Sequence, residues 1–177
     1  MAFESLGGEE AWSGKMISVR VERFRHDDGS EVTREVAVHP GAAVIVAHDD
    51  KSVYMVLQPR EAVGEQSLLE LPAGKLDQGE EPLATARREL GEEIGKAADS
   101  WELLKRCYSS PGFSDETYHV YLATDLRDAR SEAEAEEEER IRIEPVPLAR
   151  IGDAIERCKD AKSLVGLLLL DARLRGA

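Results

Sequence analysis

Apolar and polar residues alternate early in this chain. Ile17, Val19 and Val21 alternate with Ser18, Arg20 and Glu22, which predicts a strand over residues 17–25. Phe24 falls out of that phase, which implies a bulge or a side chain on the other face. His26-Asp27-Asp28-Gly29 is a turn signal, and residues 31–38 read as a second strand. Residues 1–40 are therefore expected to form an antiparallel β ribbon, which is marginal alone and must pack on something. Residues 42–47 and 52–57 predict a hairpin about His48-Asp49-Asp50-Lys51. Further strands are expected at 68–71, 101–108, 117–123 and 141–146, and helices at 148–158 and 161–174. Strands and helices in mixed order predict an α/β domain over residues 41–177, with a mixed sheet sandwiched between helices.

Another helix stands out. Pro82 suits a first helical turn, where its missing N–H is unpaired anyway, and Gly95 suits the stop. Leu83, Ala86, Leu90 and Ile94 make one apolar stripe. Glu89, Glu92 and Glu93 stand at i, i+3 and i+4 and share a different face, with Arg88 four residues before Glu92. Three carboxylates on one face repel one another; a divalent cation reverses the sign, and carboxylate oxygens suit a hard ion such as magnesium or manganese. A solvated acidic helix face is the plain alternative. Just before it, residues 68–74 read as a strand ending in a tight turn at Gly74, which would carry the backbone and Glu80 up to those carboxylates.

Composition narrows the classes. The 177 residues are 42% hydrophobic with a net charge of −13, an ordinary globular balance and a poor match to a nucleic-acid backbone. An anionic substrate would need metal ions or local arginines. No run approaches the ~20 apolar residues of a membrane span. Met1-Ala2-Phe3-Glu4 lacks the apolar core of a signal peptide, and Cys107 and Cys158 form neither a metal motif nor a disulfide framework, so a cytoplasmic location is expected. Six of the ten residues 131–140 are glutamate, the composition of a solvated loop.

Gly74, Glu80, Arg88, Glu89, Glu92, Glu93 and Gly95 together match all seven fixed letters of the Nudix box: glycine, five residues, glutamate, seven residues, then REUxEExGU with U aliphatic. At roughly 7% per residue, a chance match is on the order of one in a hundred million per starting point, so the chain is identified as resembling the Nudix hydrolase superfamily. Lys96 departs from the pattern, past the helix end, where packing rather than chemistry should feel it.

Pro111, fifteen residues after Lys96 within Ser110-Pro111-Gly112-Phe113-Ser114-Asp115-Glu116, is similar to the ADP-ribose pyrophosphatase branch. Arg34-Glu35-Val36, Gln58-Pro59-Arg60 and the segments 136–143 and 161–166 extend the likeness. It implies a Nudix-type α/β/α sandwich preceded by the ribbon, and magnesium-dependent hydrolysis of ADP-ribose, manganese being a possible substitute. Glu89 and Glu93 would be the principal metal ligands, with Glu92 and the Ala73 carbonyl close by. Glu80 would lie near the metals or orient the helix carboxylates, and Arg88 and Glu92 would belong to the catalytic set. Arg34, Arg60 and Glu116 match substrate contacts, although Arg34 also reads as a strand arginine paired with Glu31 or Glu35. The base that deprotonates water would be Glu137, the preferred choice, or Glu139. His39, His48 and His119 lack partner spacing and read as non-catalytic. The branch commonly dimerises through its ribbon and shares substrate sites, so a homodimer is expected, with neither nucleic acid nor membrane as partner. The alternatives are a pyrophosphatase for another nucleoside diphosphate sugar such as GDP-mannose, and a non-catalytic sensor that binds ADP-ribose without cleaving it.

Overall fold

A computed structural model describes residues 2–129 and 140–176. The chain divides into two compact units. The first combines residues Met1–Gly41 with Tyr108–Thr117, and the second holds Ala42–Cys107 and Tyr118–Ala177.

The first unit is built on three antiparallel strands, not two. The expected pair is present as β2 (Ser18–His26) and β3 (Glu31–Val38), but β1 (Phe3–Ser13) pairs along the other edge of β2. β1 has no apolar alternation to announce it, and its residues are nearly all exposed, so the β2 ladder holds it rather than a buried face. The β2–β3 register runs without a shift through Phe24, which opposes Val32. The irregularities are across the ladder, in β1: one between Ser5 and Gly7, beside Phe24, and another between Glu10 and Trp12. Phe24 takes an edge-on contact with Phe3, ring centroids 5.4 Å apart. The segment 108–117 docks on β3 through the Phe113 carbonyl, which accepts from the Ala37 N–H at 2.8 Å.

In the second unit, β4 (Ala42–Ala47) is buried at all six positions. Its alternation feeds two cores. Val44 and Val46 pack with Ile151, Ala154, Leu167 and Leu170 on one side, while Ala43, Ile45 and Ala47 pack with Ala86, Leu90 and Ile94 on the other. The first side is covered by α2 (Ile151–Arg157) and α3 (Ala161–Leu174), the second by α1 (Pro82–Ile94). That is the helix–sheet–helix layering expected of the α/β class. Gly166 lets α3 close on the sheet, because a Cβ there would strike Leu71 and Val46.

The expected hairpin of 42–57 does not form. β4 pairs in parallel with β9 (Thr117–Asp128) and antiparallel with β7 (Ala73–Lys75), with β8 (Lys96–Tyr108) outside β9. β5 (Ser52–Arg60) instead lies between β6 (Glu65–Glu70) and β10 (Arg142–Pro147). A single His48–Val53 bridge is what remains of a hairpin ladder between β4 and β5. β5 gains a partner on each side, and β4 gains a six-residue parallel ladder with β9 beside the short β7, which outweighs the local turn. Among the described residues, no helix is long and apolar enough to cross a membrane.

Candidate active site

Helix α1 is fixed at both ends as its sequence dictates. Pro82 stands in its first turn, and Gly95 ends it in the left-handed conformation at φ 66°, its N–H reaching the Gly91 and Leu90 carbonyls. With Ala86, Leu90 and Ile94 buried, the carboxylate face is turned toward the β7 loop. There the Ala73 N–H donates to Glu93 Oε2 at 3.1 Å. Gly74 is the close approach: a Cβ at this position would occupy the space of the Glu89 carboxylate. The box glycine is therefore required by contact with a box glutamate; the tight turn expected there is not what demands it, because Gly74 lies within the strand β7 and not at positive φ.

Arg88 organises the remaining carboxylates. Its Nη1 donates to Glu89 Oε1 at 2.6 Å and to Glu92 Oε2 at 3.0 Å, while Nε and Nη2 approach Glu80 at 3.4 and 3.3 Å. The sequence anticipated only the link to Glu92. Glu80 also accepts from the Asp77 N–H at 3.2 Å. Hydrogen bonding from Arg88, with that backbone bond, holds the Glu80 carboxyl down at about 2. Burial works to lower the Arg88 pKa, but the bonds to Glu80 and the charge of Glu89 outweigh it and raise it.

Glu80, Glu89, Glu92, Glu93 and the Ala73 backbone are thus brought to one place, with a donor set made of oxygen. That set fits a hard divalent ion. Among the described residues no three acidic, histidine or cysteine side chains converge tightly enough to hold a cation as they stand. Arg88 shares Glu89 and Glu92, and an ion would compete with it for them. Glu137 and Glu139 lie outside the described residues.

Arg60, expected to touch substrate, is fastened to Glu70. Nε donates to Oε1 at 2.6 Å and Nη2 to Oε2 at 3.0 Å, and Lys162 Nζ donates to Oε2 at 2.7 Å. Burial pushes the Glu70 pKa up, yet the hydrogen bond from Arg60 and the charge of Lys162 bring it below the ordinary value. Sequence reasoning passed over Glu70 and the role of Lys162. The available signal was a charged residue inside the apolar run Leu68-Leu69-Glu70-Leu71, where burial demands a partner.

In the first unit, Arg34 donates to the Thr33 carbonyl, and Glu31 pairs with Arg25 instead. Arg34 lines a cavity of about 360 Å³ with Phe3, Phe24, Pro111 and Phe113. Glu116 Oε1 lies 3.3 Å from His39 Nδ1, which accepts from the Gly41 N–H. His119 is partly buried, its Nδ1 without a partner among the described residues, and desolvation lowers its pKa.

The NUDIX domain model matches residues 37–163, well over half of the chain. The protein belongs to the NUDIX family. This Nudix chain is 47% identical over 134 residues to an ADP-ribose pyrophosphatase of Mycobacterium tuberculosis, covering 74% of the chain and 64% of that relative. It is 40% identical over 146 residues to an ADP-ribose pyrophosphatase of Bacillus subtilis, covering 82% and 78%. The match to the first relative thus spans just under two thirds of its length. The fold matches a crystal structure of an ADP compounds hydrolase with a TM-score of 0.85 at 24% identity, over 99% of this chain and 96% of that one. Nudix hydrolases generally use divalent metal ions and act on nucleoside diphosphate substrates.

Proposed function

We propose that this Nudix protein hydrolyses the pyrophosphate bond of ADP-ribose to AMP and ribose 5-phosphate, with magnesium as its ion and manganese as a substitute. The observation that carries the reading is the convergence of Glu89 and Glu93 on the Ala73–Gly74 backbone. The two ADP-ribose pyrophosphatase relatives support the choice of substrate.

Glu89, Glu93, Glu92 and the Ala73 carbonyl would hold the ion, and Glu80 would act through Arg88. When bound, divalent ions neutralise the charge of the pyrophosphate and favour deprotonation of water. The chain itself contributes position. Arg88 keeps Glu80, Glu89 and Glu92 gathered. Arg60, Arg34 and Glu116 recognise the substrate. A water oxygen attacks phosphorus, its proton passes to Glu137 or Glu139, and the bridging P–O bond breaks. Glu137→Gln should lower kcat with little change in KM, because a base acts in the transition state. A severe Glu139→Gln with a silent Glu137→Gln moves the role by two residues.

The protein works as a cytoplasmic homodimer formed through its N-terminal strands. Phe3 and Trp12 are exposed on β1, and Cys107 and Cys158 are free thiols. Sedimentation as a monomer at micromolar concentration would remove the dimer. The decisive assay is a substrate panel with magnesium, resolved by chromatography. ADP-ribose should be cleaved to equal amounts of the two products, and EDTA should stop the reaction. Intact ADP-ribose beside efficient cleavage of GDP-mannose would overturn the substrate, and binding without cleavage would make the protein a sensor.

A further inference from the structure

Glu70 is a carboxylate at 1% exposure that engages two cations from distant parts of the chain. Arg60 comes from the end of β5 and Lys162 from the first turn of α3. Their accessibility differs: the Arg60 side chain is 41% exposed and that of Lys162 is 15%. The fork takes Nε and Nη2 of Arg60, so Nη1 stands outside it. Lys162 is itself held from the other side by Asp160 at 2.9 Å. Asp160 caps α3, accepting from the Ser163 N–H and hydroxyl, and Ser163 Oγ accepts from the Leu71 N–H at 2.7 Å. The lysine is thereby fixed to the helix and the strand end at once, while the arginine faces solvent.

A buried carboxylate with one cation cannot release it without being stranded in a low dielectric. A buried carboxylate with two can release one. We propose that Glu70 holds Arg60 in reserve, and that Lys162 is the standing counter-ion of Glu70 and so a positioning residue, which lets the guanidinium leave Glu70 for an anionic ligand. Helix α3, outside the box, then contributes to anion recognition through Lys162 without touching the ligand. A purely structural role would use both cations alike, as ties between β5, β6 and α3. The inference rests on the pyrophosphate substrate proposed above.

The test is calorimetric binding in EDTA, where turnover is absent, with ADP-ribose and inorganic pyrophosphate as parallel probes. Lys162→Met should weaken binding by about ten-fold, the scale of one charge-assisted contact being withheld. Lys162→Arg should restore it. Lys162→Met with Glu70→Gln should recover most of the loss, because the carboxylate that retains Arg60 is gone. In turnover assays the Lys162→Met loss should appear in KM, with kcat within about two-fold, as expected for lost uniform binding. Equal affinity of wild type and Lys162→Met, or a loss confined to melting temperature, overturns the proposal. Should Lys162→Met fail to fold, a Lys162→Gln variant is measured the same way, and the double variant is compared with Glu70→Gln alone. Wild-type protein that binds pyrophosphate but not ADP-ribose overturns the substrate reading and leaves the Lys162 comparison readable. Binding of neither overturns both.

Discussion

Around Arg88, one guanidinium is shared by Glu80, Glu89 and Glu92; around Glu70, one carboxylate is shared by Arg60 and Lys162. The first cluster is carboxylate-rich and partly open, with Arg88 33% and Glu92 38% exposed. The second is anchored on a buried charge and closed by Asp160. An excess of carboxylates gathered on one guanidinium leaves room for a cation to bind. A buried carboxylate must be matched in place, and its surplus partner is what a ligand can borrow. The same residue types thus serve opposite ligands according to ratio and burial.

The largest effect that would break this contrast concerns Glu93. Glu93→Gln keeps the shape and the bond from Ala73, so the fold should persist and the metal-free melting temperature should hold or rise. Turnover should fall by roughly 10²-fold or more, the scale of losing a charge-stabilising group. Near-normal turnover with saturating magnesium would remove the ligand assignment.

Glu70 should behave in the opposite sense. Glu70→Ala leaves two cations without their shared acceptor and should cost about 2 kcal/mol of stability. Urea unfolding measures it; an unchanged midpoint would show the buried cluster contributes nothing net.

The helix α1 was legible from its residues because every local rule agreed: Pro82 at the start, Gly95 at the stop and the apolar stripe between them. α3 was legible for the same reason, since its expected span and its observed one, Ala161–Leu174, coincide. β1 was not, because Gly7, Gly8, Glu9 and Glu10 carry no strand pattern, and the strand exists through its neighbour. The strands β4 and β5 were each legible but their pairing was not, since partners arriving from residues 73–75, 117–128 and 142–147 settle it. In the candidate site, the box residues could be named from spacing. That Gly74 yields its Cβ space to Glu89, and that Arg88 also reaches Glu80, required the fold.

The smallest predicted effect is one of pH. The folded Glu80 carboxyl titrates at about 2 against an ordinary 4.5, so its pKa is depressed. Its contribution is present above pH 4.5 and lost as pH falls toward 2. Glu80→Gln should therefore lower the melting temperature modestly at pH 7, where that contribution is present, and converge with wild type as pH falls toward 2. Identical acid profiles for the two proteins would mean that Arg88 does not hold Glu80 in solution.

The contrast between the two clusters is tested most directly by calorimetric titration of Glu93→Gln and Arg60→Ala, each with manganese and, in EDTA, with ADP-ribose. Glu93→Gln should lose most of its manganese affinity and retain ADP-ribose binding, while Arg60→Ala should retain manganese and lose ADP-ribose. Glu93→Gln with wild-type manganese affinity, or Arg60→Ala with wild-type ADP-ribose affinity, would contradict the account.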